Sequence, residues 1–120
     1  MNPAINKTSF GSITIDGIEY SHDVIIHLDG SVSKRKKKLS KKITGTSHEM
    51  SKNEAKHIYQ TGTEKIILGT GQQGVLKISD EAMQFFQKKN CILEICPTPR
   101  AVEYWNRETQ PAVGLFHVTC

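Results

Sequence analysis

Three glycines in the stretch KIILGTGQQGVLKIS, namely Gly69, Gly71 and Gly74, spell G-x-G-x-x-G directly after an apolar run. In a dinucleotide-binding turn, that spacing lets the backbone approach a pyrophosphate seated on the N-terminus of a helix that begins inside the motif. Here Gly74 is followed by VLKIS, which alternates as a strand does, and a helix-capping residue comes only at Ser79. Glu94 stands twenty residues beyond Gly74, but it falls inside the run CILEIC rather than at its tip, where a ribose ligand belongs. The nicotinamide reading lacks its context. Two others stand: glycines that let a tight loop leave a sheet at positive φ, or a nest of backbone N–H groups that holds an anion.

His48 is the residue of that neighbourhood suited to proton transfer at neutral pH, with Glu49 beside it to orient the ring. Cys96, at the end of an apolar run, is a nucleophile candidate beside it, whereas Cys91 within the run reads as core. No second catalytic carboxylate or activated serine pattern joins them. His117 and Cys120 of HVTC have the chemistry of a metal pair, but three residues apart on a strand they would point to opposite faces. No metal site and no cofactor is expected.

The run KRKKKLSKK holds Lys34, Arg35, Lys36, Lys37, Lys38, Lys41 and Lys42, seven of the sixteen basic residues. The net charge of +4 is therefore one local patch, for the remaining nine bases face twelve acids. Lacking interleaved aromatics and a recognition module around it, the run reads as a solvated loop. Nucleic acid is not the expected partner.

The elements that must position these residues follow from periodicity. SITIDGIEY and DVIIHLDGSVS are hairpin-like, each turning at Asp-Gly, with Val24–Leu28 as the strand of the second. TGTSHEM is a loop, and Ser51 with Glu54 makes a capping box opening a helix to about Thr61. A strand over 65–68 and a helix capped by Ser79, with Ala82, Met83 and Phe86 on its apolar face, come next. CILEI is the following strand. Thr98-Pro99 caps a third helix to about Asn106 that carries Trp105 against the sheet, and AVGLFHV is the last strand. The order implies an α/β fold of three layers: a mixed, mostly parallel central sheet with helices on its faces, and an extra antiparallel β layer from the N-terminal part. Residues 1–120 form a single domain in this reading.

Ligand crevices in such folds lie at the carboxyl ends of the parallel strands. Three loops converge there and carry the candidate ligand-binding residues Thr44, Gly45, Thr46, His48, Gly69, Thr70, Gly71, Gln72 and Thr98. Helix N-termini at Ser51 and Thr98 would add positive dipole ends suited to a small anionic ligand. With 37% hydrophobic and 23% charged residues, the composition is that of a globular chain. No apolar run approaches the ~18 residues that span a bilayer, so no membrane contact is expected. Three cysteines without a C-x-x-C and an N-terminus without an apolar signal core point to the reducing cytoplasm.

Taken together, SFGSITIDGIEY, DVIIHLDGSV, TGTSH, KIILGTGQQGVLKI, TPRAVEYWN and GLFHVTC resemble the Mth-938-like family of small domains, from about Ser9 to Cys120. The resemblance looks closest to archaeal members and implies a three-layer α/β domain. It weakens the dinucleotide idea, since the family typically carries only the I-G-x-G part. Relatives include an adipogenesis-associated protein and a mitochondrial complex I assembly factor that acts by protein contact. The expected function is a non-catalytic interaction or assembly-type module with a polar crevice, meeting a protein partner or a second copy of itself. The alternative is a small-molecule binder or enzyme using His48, with Cys96, beside the Gly69–Gly74 loop.

Overall fold

The computed structural model describes residues 2–46 and 48–120, so Ser47 of TGTSHEM lies outside the described residues. Strands β1 (Ile5–Ser9), β2 (Ser12–Ile15) and β3 (Ile18–Tyr20) form an antiparallel sheet of their own. Its second turn is the Asp16-Gly17 step, with both residues at positive φ (48° and 80°), as a two-residue hairpin requires. The second hairpin joins β4 (Val24–Ile26) to β5 (Val32–Lys34), where Asp29 Oδ1 accepts from the backbone and hydroxyl of Ser31.

The lysine run is not a loop. After β5 it continues into helix α1 (Lys38–Thr44), and β6 (Glu49–Met50) follows within the expected TGTSHEM loop. Helix α2 (Lys52–Ile58) ends three residues before Thr61. Then come β7 (Lys65–Thr70), β8 (Lys77–Ile78), α3 (Asp80–Lys88), β9 (Ile92–Cys96), α4 (Thr98–Arg107) and β10 (Ala112–His117). Ser51 and Ser79 cap α2 and α3 as their spacing predicts, accepting from the N–H of Glu54 and Ala82.

The central sheet has the order β5-β4-β10-β7-β9, with β10, β7 and β9 parallel and β4 and β5 added antiparallel. The short pair β6-β8 stands beside it. Alternation along β7 and β10 sends Ile67, Ala112 and Phe116 to one face, where the three-stranded sheet and α4 cover them. Ile66, Leu68, Val113 and Leu115 go to the other, under α2 and α3. Trp105 closes the first face, edge-on to Phe116, and its indole N–H donates to the Pro3 carbonyl. Among the described residues, no helix is long and apolar enough to cross a membrane.

Candidate functional site

The three loops do meet at the carboxyl ends of β7 and β10, but what they hold there is the chain's own residues 118–120. Gly71 N–H donates to Thr98 Oγ1 (2.9 Å) and Gln72 N–H to the Thr119 carbonyl (2.7 Å). Gly74 N–H turns back to the Gly71 carbonyl, and Val75 N–H donates to Cys120 O at 3.0 Å. A Cβ on Gly71 would lie 2.5 Å from the Cys120 carbonyl carbon, so the glycine is what admits this segment. These four donors are spent inside the chain, which removes them from any anion nest and from a pyrophosphate.

The N-terminus of α4 is closed in the same way. Pro97, not Thr98, is its N-cap, and it makes no side-chain capping bond. Thr98 N–H donates to the Gly71 carbonyl, Pro99 has no N–H, and Arg100 and Ala101 both donate to the Pro97 carbonyl. Thr98 Oγ1 instead donates to the His117 carbonyl at 2.6 Å while accepting from Gly71. Thr98 is therefore a tie between β7, β10 and α4, and no dipole end stands open at this helix.

The other candidates separate. Thr44, Gly45 and Thr46 close the C-terminus of α1: Thr44 Oγ1 bonds the carbonyls of Ser40 and Thr46, and Gly45 N–H donates to the Lys41 carbonyl. Thr70 is buried, and a Cβ on Gly69 would strike Thr98 Oγ1 at 2.8 Å. The Gln72 amide reaches across to Thr8 Oγ1 on β1. Among the described residues they do not line one shared hollow; two open hollows flank β8, whose Lys77 and Ile78 line both. One, of about 330 Å³, takes Thr44, Glu49 and Ser51; the other, of about 560 Å³, takes Thr70, Gln73, Gly74 and Cys96.

His48 is exposed and its ring lies edge-on to His117, centroids 5.7 Å apart. The thiol beside it is that of Cys120, 4.0 Å from Nε2, where the sequence pointed to Cys96. Burial, with Glu94 adding to it, pushes the Cys96 thiol above its ordinary value, the opposite of an activated nucleophile. His117 and Cys120 do not diverge as two residues three apart on one strand would, because β10 ends at His117 and both residues approach His48. Among the described residues, no group of three or more His, Cys, Asp or Glu side chains is placed to hold a metal ion.

Beneath this edge lies a network that pattern-reading of the sequence passed over. Arg35 is 3% exposed and does not belong to the surface charge. Its Nε and Nη2 bond both oxygens of Glu54 (2.6 and 3.0 Å), and its Nη1 reaches Asp23 Oδ2 at 3.0 Å. Ser40 Oγ donates to Glu54, and Ser51 N–H to Ser40 Oγ. The Glu54 carboxylate thus serves Arg35 and Ser40 and not the reciprocal half of a capping box. Asp23 also accepts from His117 Nδ1 (2.8 Å) and the Val118 N–H (2.9 Å), so it anchors the 118–120 segment. Because a carboxylate only accepts, the Nδ1 of His117 carries the proton. The signal for this was that Arg35 is the one arginine among lysines, the residue whose planar fork suits a buried carboxylate.

Burial by itself would raise the Asp23 carboxyl, but the bonds from His117, Val118 and Arg35 overcome it and hold the group at about 2 against an ordinary 3.8. A depressed folded-state value stabilises above the unfolded one and is lost on acidification. About 2 kcal/mol of stability should therefore disappear as the pH falls from about 4 to 2. Urea unfolding at stepped pH should show this fall in the native protein and a flatter acid limb in Asp23→Asn; equal slopes would rule the network out as the cause.

The family model described as a protein of unknown function (DUF498/DUF598) matches residues 5–111. The conserved hypothetical protein PH1505 from Pyrococcus horikoshii is 30% identical over 97% of this chain and 98% of its own, with a TM-score of 0.88. The protein MT938 is 31% identical over 99% of this chain and 100% of its own, at 0.83. A Bordetella parapertussis protein of 15% identity shares the fold, with a TM-score of 0.75 over 98% of this chain and 96% of its own. No curated protein matches the chain.

Proposed function

The chain belongs to the DUF498/DUF598, Mth938-like family of unknown function, and from that premise we propose that it is a non-catalytic interaction module of the archaeal type, acting by assembly-type contact with another macromolecule. One observation carries the reading: apart from the exposed His48, the groups placed to do chemistry are occupied in building the protein. The glycine-loop and α4 donors bind the chain itself, His117 is buried against Asp23, and the Cys96 thiol is pushed up. The greater identity to the Pyrococcus protein than to the Bordetella one supports the archaeal affinity.

The competing reading, a binder or enzyme at His48, has the nearby Cys120 thiol in its favour. One experiment separates them. The tagged full chain is crosslinked in source cells and its adducts are identified, in native form and as His48→Ala and Cys120→Ala. A defined macromolecular adduct retained by both variants is the expected result. No adduct, together with a substrate turnover or ligand-induced melting shift that His48→Ala abolishes, would overturn the module in favour of the alternative.

A further inference from the structure

The lysine run is a surface built against its own local stability. Helix α1 has no side-chain cap and no acid in its first turn; it starts instead from Lys37 and Lys38, cations at the positive end of the dipole. Lys37 and Lys41, and Lys38 and Lys42, are like charges one turn apart, which destabilises a helix further. At seven residues α1 is also far too short to persist alone. It is held from below, by Arg35 on Glu54 and Asp23 before it and by Ser40 on Glu54 within it. A buried carboxylate pair thus fixes a segment whose exposed side chains repel one another.

Those side chains converge. Lys34, Lys36, Lys37, Lys38 and Lys41 ring one open hollow of about 620 Å³, and no acidic side chain lines it. The field extends to α2, where Lys52 and Lys56 are exposed and where burial and the charge of Lys36 hold His57 below its ordinary value. Local rules broken and supported from elsewhere are the mark of a functional site. We infer that this lysine platform binds the phosphate backbone of a nucleic acid duplex without reading its bases.

The chemistry selects that partner. The platform has point-charge ammonium groups only, since its one guanidinium is turned inward, so it lacks the forked donors that read base edges. It has no aromatic side chain on which an unpaired base could stack. Its one apolar residue is the half-buried Leu39, so an acidic peptide would find little there beyond the charge. Nucleic acid is not expected from the sequence because the run lacks interleaved aromatics and a recognition module, but contact with the phosphates of a duplex needs neither, and β5 and α1 hold the run in place. The inference rests on the interaction-module reading and adds the class of partner.

The test is fluorescence anisotropy of a labelled 24-base-pair duplex with the purified full chain between 50 and 300 mM KCl. Engagement of about five phosphates gives a slope of log affinity on log salt near −4.5. Lys37→Glu/Lys41→Glu should lose at least tenfold in affinity at 50 mM and flatten the slope by about two units. Because it relieves repulsion, it should melt no lower than the native chain. The milder Lys36→Gln/Lys38→Gln provides the same readout should the charge reversal misfold. Lys7→Glu, on the exposed side of β1, should bind within twofold of native. No binding at 50 mM, or binding indifferent to the platform lysines, overturns the inference. So does tighter binding, at equal salt, to a glutamate-rich peptide or to vesicles containing phosphatidylglycerol; that outcome would leave the interaction module standing with a different partner.

Discussion

Arg35→Met should cost about 3–5 kcal/mol, a large share of the 5–15 kcal/mol by which domains of this size are stable. The substitution keeps the volume of the side chain but strands Glu54, which is fully buried, and takes one of the charged partners from Asp23. An uncompensated buried carboxylate either stays ionised at great cost or takes up a proton, and both outcomes weaken the fold at neutral pH. Arg35→Lys should recover little, because a single ammonium cannot bond both oxygens of Glu54 and reach Asp23 as well. Replacing both partners, as Arg35→Met/Glu54→Met, should restore at least half of the loss. Lys37→Ala, two residues away and exposed, should stay within about 0.5 kcal/mol of native. Urea unfolding followed by Trp105 fluorescence reads all four. An Arg35→Met cost no larger than that of Lys37→Ala would show that the ion pair does not hold α1.

Gly71→Val should cost about 3 kcal/mol and free the 118–120 segment. Gly71 sits at φ +106°, where a β-branched residue is strained, and its new Cβ would meet the Cys120 carbonyl carbon at 2.5 Å and His117 Cδ2 at 2.8 Å. Backbone is what stands in the way, so the segment must move, and the bonds from Gln72 and Val75 to Thr119 and Cys120 go with it. Gly74→Ala makes the contrast. There φ is +72°, but the nearest atom is Pro97 Cγ at 3.4 Å, so only the conformational penalty of about 1 kcal/mol applies. Denaturant melts give the energies, and the alkylation rate of Cys120 reports the release. A Gly71→Val protein with native stability and native Cys120 labelling would mean that the segment does not depend on this glycine.

Both predictions touch places where the sequence misleads. The glycine motif has the spelling of a phosphate turn, yet the group it admits is a piece of backbone from the end of β10, 46 residues from Gly74 to Cys120. Thr98-Pro99 has the spelling of a cap, yet its hydroxyl is claimed by Gly71 and His117 from two strands, and Pro97 takes the capping position. Glu54 satisfies a capping-box pattern while its carboxylate turns to Arg35. In each case a local pattern names the residue type correctly and a distant group supplies the bond.

By itself the sequence determined the Asp16-Gly17 turn, the existence of the second hairpin though not the end of its strand, which stops at Ile26 rather than Leu28, the Ser51 and Ser79 caps, the apolar strands read at 65–68 and 112–118, and so the α/β class with its extra β layer. Those signals are local, set by positive-φ turns, cap bonds within three residues and side-chain periodicity. Tertiary structure alone decided that the lysine run becomes a helix, that Arg35 goes inward, and that the loop donors are spent on residues 119–120. Each of these is a long-range pairing in which a buried polar group must find its partner, and no spacing along the chain encodes which partner that is.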